Sequence, residues 1–142
     1  MNLHQKQIAI CLYFLMYVVS GVQHLLNRRK KVENLKKKIK SNFDINLLLP
    51  DSLYVICIVL TTILEIVGSS LIVLNYLHFI KLPSTVVRII IQLFLLFLIL
   101  VSIFIHHPFQ PKKIPFFSNI SFFGSLLYIY GDIEEYEKKY PH

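Results

Sequence analysis

Hydrophobic positions along this chain gather into four long runs instead of alternating with polar ones. The runs cover 8–26, 53–77, 85–105 and 114–130, and nearly all charged residues fall between them. A helix crosses a hydrocarbon core of about 30 Å with roughly 17–25 mostly apolar residues. The first three runs meet that length, and the fourth sits at its short limit. A soluble amphipathic helix needs a polar face. The segment IIIQLFLLFLILVSIF within the third run offers only Gln92 and Ser102. The pattern therefore predicts an all-α protein, a four-transmembrane-helix bundle forming one integral membrane domain over 1–142. A basic, partly interfacial first loop (27–52) and a charged tail (131–142) complete it.

Composition agrees with that reading: 55% of the residues are hydrophobic and 16% charged, against about 25% charged in ordinary soluble domains. The cations decide the expected orientation. Arg28, Arg29, Lys30, Lys31, Lys36, Lys37, Lys38 and Lys40 crowd the first loop, and Lys112 and Lys113 the third. Only Lys6, Lys81, Arg88, Lys138 and Lys139 fall on the other side. Short loops rich in Lys and Arg stay cytoplasmic or on the equivalent side, so both termini are expected outside. The first run then reads as a signal anchor, with no small-x-small cleavage pattern after it.

The segment RRKKVENLKKKIK raises the question of nucleic acid. Lysines beside a membrane span contact anionic lipid headgroups, and Val32, Leu35 and Ile39 recur at helical spacing. An interfacial helix on a lipid bilayer is expected, with no nucleic-acid partner. The stretch SNFDINLLLP continues along the interface until Pro50 and Asp51 open the second helix.

Each run carries its few polar groups at helical spacing: Tyr13, Tyr17, Ser20, His24 and Asn27; Thr61, Glu65, Gly68 and Asn75; Arg88, Gln92, Ser102 and His106; Ser118, Ser121, Ser125, Tyr128 and Asp132. In lipid such stripes face other helices or a wet cavity. Most of the Ser and Gly positions suit close helix packing. Glu65 stands apart, because an acid near the bilayer centre costs on the order of 3 kcal/mol. It is expected to face inward as the neutral acid, unless a cation pairs with it, and to hydrogen-bond a neighbouring helix, a water or a ligand. His24, Tyr17, His106 and Asn119 are the candidate residues to accompany it. Counted from Leu53, Glu65 lies about 12 residues or 18 Å into its helix, whereas His24 is one turn from its own helix end, so direct contact between them is not expected without a tilt or a later helix start. No HxxxH or ExxH occurs, and HH is not a metal motif, so no metal is expected. Cys11 and Cys57 belong to opposite leaflets and lie beyond the roughly 7 Å that a disulfide allows. No CxxC is present.

These ordered features resemble the DoxX-like family of small four-helix membrane proteins. The resemblance rests on SGVQHLLN late in the first helix, a basic interfacial loop, and E-x-x-G in LEIVGSSLIVLN. IHHPF after the third helix and N-x-x-x-x-G in NISFFGSLL follow in order. Ser69 and Ser70 stand where many members carry another glycine, and the third helix is bulkier than usual. The resemblance implies a four-helix bundle in a membrane and an association with redox systems, quinone-linked ones included.

The expected function is a module that binds a hydrophobic, quinone-type ligand or a partner within the bundle, without independent catalysis. An accessory subunit or assembly factor of a larger membrane complex, or a homo-oligomer, is the alternative. A small transporter or cargo receptor comes third, since no broken helix or inverted repeat is evident.

Overall fold

A computed structural model describes residues 3–43, 50–106 and 114–139. Among the described residues the chain is all-helical. Helix α1 spans Leu3–Leu26 and α2 spans Arg28–Phe43. Helix α3 runs over Asp51–Tyr76 and contains a single π-helical turn at Leu64–Gly68. Helices α4 (Ser84–Phe104) and α5 (Ile114–Lys139) follow. Three segments, Gln5–Leu26, Asp51–Tyr76 and Ser84–Phe104, are long and apolar enough to cross a membrane.

The helix ends differ from expectation where helix-forming polar residues extend an apolar run. Helix α1 starts at Leu3, ahead of Gln5, Lys6 and Gln7, and α5 continues to Lys139. Segment 131–139 is therefore helical, and Glu and Lys are good helix formers. The first loop is helical over Arg28–Phe43, with Val32 buried, Leu35 and Ile39 half-buried, and most of its cations exposed. The interfacial course expected for SNFDINLLLP falls mostly on 44–49, outside the described residues.

Two compact units make up the chain, the first from Met1–Glu33 and Leu49–Pro83, the second from Asn34–Leu48 and Ser84–His142. In the first, α1 packs antiparallel on α3. Gln7 Nε2 lies 2.9 Å from His78 Nε2 at one end, and Ser20 Oγ donates to Glu65 Oε1 at 3.1 Å farther along. Ile10, Phe14 and Tyr17 are buried on α1, Tyr54, Thr62, Glu65, Ser69 and Ile72 on α3. The ring of Tyr13 meets those of Phe14 and Tyr17 edge-on, at 5.2 and 5.5 Å. Elsewhere α1 exposes Ile8, Leu12, Leu15, Met16, Val19, Val22 and Leu26. A continuous apolar surface of that kind suits lipid rather than water.

A Schellman cap closes α3 at its far end. The amide of His78 donates to the carbonyl of Asn75 at 3.1 Å and that of Phe79 to Leu74 at 2.9 Å. His78 occupies the left-handed position, φ 61°, where glycine is usual. Asn75 extends the cap, its Oδ1 accepting from the Leu82 amide at 2.9 Å. Asn75, in the last turn of α3, thus spends its side chain on the turn that follows the helix. His78→Val is expected to cost about 1–2 kcal/mol, the left-handed penalty sharpened by β-branching. His78→Gly should be nearly neutral. Thermal unfolding of both variants checks this, and equal stabilities would refute it.

In the second unit α4 buries Val87, Ile90, Ile91, Phe94 and Leu98 at helical spacing, and α5 buries Leu126 and Ile129. Two polar rungs fix an antiparallel register. Gln92 Nε2 donates to Tyr130 Oη, and Asn119 Nδ2 to Ser102 Oγ, both at 3.2 Å. Ser118 and Ser125 instead donate to the carbonyls of Ile114 and Ser121 in their own helix.

Candidate intramembrane polar site

Helical geometry places Ser20 and His24, four residues apart, on one face of α1. Gly21 lies between them. A Cβ at Gly21 would stand 2.6 Å from Ile66 Cγ1, 3.0 Å from Glu65 Cβ and 3.2 Å from the Ile66 amide nitrogen. Only a glycine lets the two backbones approach this closely, and α1 meets the π turn of α3 there. Single π turns inside α-helices recur at functional sites. This one carries Glu65 and Gly68, both buried.

Both oxygens of the Glu65 carboxyl are engaged. Oε1 accepts from Ser20 Oγ at 3.1 Å, and Oε2 lies 2.6 Å from His24 Nδ1. The His24 side chain is 15% exposed and that of Glu65 3%. Tyr17, also buried, is an electrostatic neighbour of Glu65, and its hydroxyl lies 3.2 Å from that of Tyr13. One turn beyond Glu65, the fully buried Ser69 Oγ has no hydrogen-bond partner among the described residues. Thr62, one turn before, donates to its own Ile58 carbonyl at 2.7 Å, the usual arrangement for a buried helical hydroxyl.

The contact between Glu65 and His24 corrects the expectation that depth keeps them apart. Fourteen residues of α3 precede Glu65, and two of α1 follow His24. The helix ends are therefore offset by about 12 residues, roughly 18 Å. Level ends were the faulty premise, because the backbone bonding of α1 carries on past Leu26. The Asn27 amide donates to Gln23 and the Lys31 amide to Asn27, at 3.1 and 3.0 Å.

Of the residues expected at one site, the first unit brings together Glu65, His24 and Tyr17. Ser20 and Gly21 join them, and only their spacing to His24 signals this in the sequence. Asn119 and His106 belong to the second unit. Asn119 pairs there with Ser102. His106 is half-buried, and burial together with the nearby Lys38 charge holds its imidazole below the usual histidine range. His107, Lys112 and Lys113 lie outside the described residues.

Chemically, the arrangement is a carboxyl that orients an imidazole through Nδ1. The other ring nitrogen, Nε2, makes no hydrogen bond among the described residues. Among the described residues no three of His, Cys, Asp or Glu gather as metal ligands would. No family model, curated protein or solved structure matches the chain.

Proposed function

We propose that this chain is a DoxX-like integral membrane protein that holds an uncharged, hydrophobic, quinone-type molecule at the Glu65–His24 site. The observation that carries this reading is the interlocking of SGVQH with LEIVG. Ser20 and His24 close on both oxygens of Glu65, at 3.1 and 2.6 Å. Nature seldom retains an acid and an imidazole inside a spanning helix pair without a use for them. The polar cluster orients a ligand, and the apolar surface of the helices accommodates its tail. In this reading α5, 26 residues long and thus about 39 Å, is the fourth transmembrane helix of the bundle. The basic face of α2 rests on anionic headgroups on the inner side. Both termini lie outside, and the protein has no catalysis of its own.

Native mass spectrometry of gently solubilised wild-type and Glu65→Leu protein tests the assignment. Leucine leaves His24, 15% exposed, without its partner and costs some stability, but the variant is expected to insert and to retain at least tenfold less of the co-purifying lipophile. Retention at wild-type stoichiometry sinks the reading. A stoichiometric protein partner in place of a ligand, undisturbed by Glu65→Leu, would make the chain an accessory subunit instead.

A further inference from the structure

Ser20 donates to Oε1 of Glu65, so an acid hydrogen on that oxygen would lack an acceptor. The Glu65–His24 pair is left with three proton arrangements, which differ in what Nε2 of His24 presents. An imidazolium facing a carboxylate carries hydrogen on both ring nitrogens. A neutral imidazole accepting at Nδ1 from a protonated acid carries its hydrogen on Nε2. A neutral imidazole donating from Nδ1 to a carboxylate leaves Nε2 bare, as an acceptor.

Only the third arrangement has a net charge, one negative. Its carboxylate would be 3% exposed within a segment suited to span a membrane. Burial opposes an uncompensated charge. Among the described residues no lysine or arginine supplies compensation, since the hydrogen-bond partners of Glu65 are Ser20 and His24. Arg28 and Arg29, the next cations along the chain, are exposed. Both neutral arrangements put a hydrogen on Nε2. Ser20 suits both, because its hydroxyl donates to Oε1 whether that atom belongs to a carboxylate or an acid.

Resting on the ligand reading above, we propose that His24 Nε2–H is the group that contacts the ligand, and that it selects a hydrogen-bond-accepting carbonyl on an apolar body. Glu65 is the positioning residue, which holds the ring through Nδ1 and keeps the hydrogen on Nε2. The same donor serves a quinone carbonyl or a lipid ester carbonyl, so the test separates those sources.

Full-length protein in nanodiscs of ether-linked phosphatidylcholine, which has no ester carbonyl, is titrated with decyl-ubiquinone and read by tyrosine fluorescence. His24→Asn keeps an amide at the position of Nδ1 to engage Glu65 but lacks Nε2. The variant is expected to bind roughly tenfold more weakly, the effect of one lost hydrogen bond. Decylbenzene, with no carbonyl, should bind both proteins alike. Equal decyl-ubiquinone affinity in His24→Asn overturns this inference while the ligand reading stands. Absence of binding by wild type overturns both. Weaker binding by wild type, but not by His24→Asn, in ester-linked lipid identifies the ester as a competitor for the same donor and supports the inference. A measurement that needs no change at the site is ¹⁵N NMR of labelled histidine, in protein whose other five histidines are glutamine. A protonated Nε2 is expected, and a bare Nε2 overturns the proposal.

Discussion

His24→Ala is expected to destabilise the α1–α3 pair by about 2–5 kcal/mol. That range runs from the cost of a buried polar group left unsatisfied to that of a buried charge left unpaired. The variant strips Oε2 of its 2.6 Å partner and leaves Ser20 as the sole hydrogen-bond partner, among the described residues, of a carboxyl that is 3% exposed. The informative comparison is the double variant His24→Leu/Glu65→Leu. Replacing a buried polar pair by apolar residues of similar size is often neutral or stabilising, so it should recover most of the loss. Reversible unfolding in mixed micelles of the double variant and its constituent singles, His24→Leu and Glu65→Leu, gives the coupling. A His24→Ala loss below about 1 kcal/mol, with additive effects, would mean that the pair does not hold the helices together.

The second large effect concerns Gly21, where the same change is expected to have the opposite sign from that in α5. Alanine in place of a helical glycine ordinarily gains about 0.5–1 kcal/mol. At Gly124 and Gly131 nothing lies within 4 Å of a new Cβ, and that gain should appear. At Gly21 the new atom meets Ile66 Cγ1 at 2.6 Å, Glu65 Cβ at 3.0 Å and a backbone nitrogen at 3.2 Å. None of these is the free end of a flexible chain, so the helices must separate. Overpacking of this kind costs about 1–3 kcal/mol, and Gly21→Leu should exceed it. Separation also draws His24 away from Glu65. Gly21→Leu and His24→Ala should therefore combine less than additively in the same unfolding measurement. Additive losses would place the two effects in different contacts.

Much of the helical layout was legible from hydropathy alone, because a span of lipid demands an unbroken apolar run. Helix ends were less so. Nothing in hydropathy halts a helix at the edge of an apolar run, and so α1 begins at Leu3 and α5 reaches Lys139. Glu65 and His24 stood out as polar groups where they are costly. Their meeting was hidden, since it depends on the offset between two helices, a quantity set by packing around Gly21. Asn75 matched the polar stripe by spacing, and spacing does not reveal that its side chain serves the turn after α3. Ser20 was visible as one polar residue among several, and only the geometry singles it out.

The π turn at Leu64–Gly68 also bears on which changes of length α3 tolerates. A turn of this kind holds about one residue more than an α-helical turn. Deleting one residue there would rotate everything beyond the turn by about 100°, carrying Ser69 and Ile72 off the face they now occupy. Glu65 and Ile66, packed against Gly21, would lose their contacts at the same time. Descendants of this chain should keep the length of α3 more faithfully than the identity of its lipid-facing side chains.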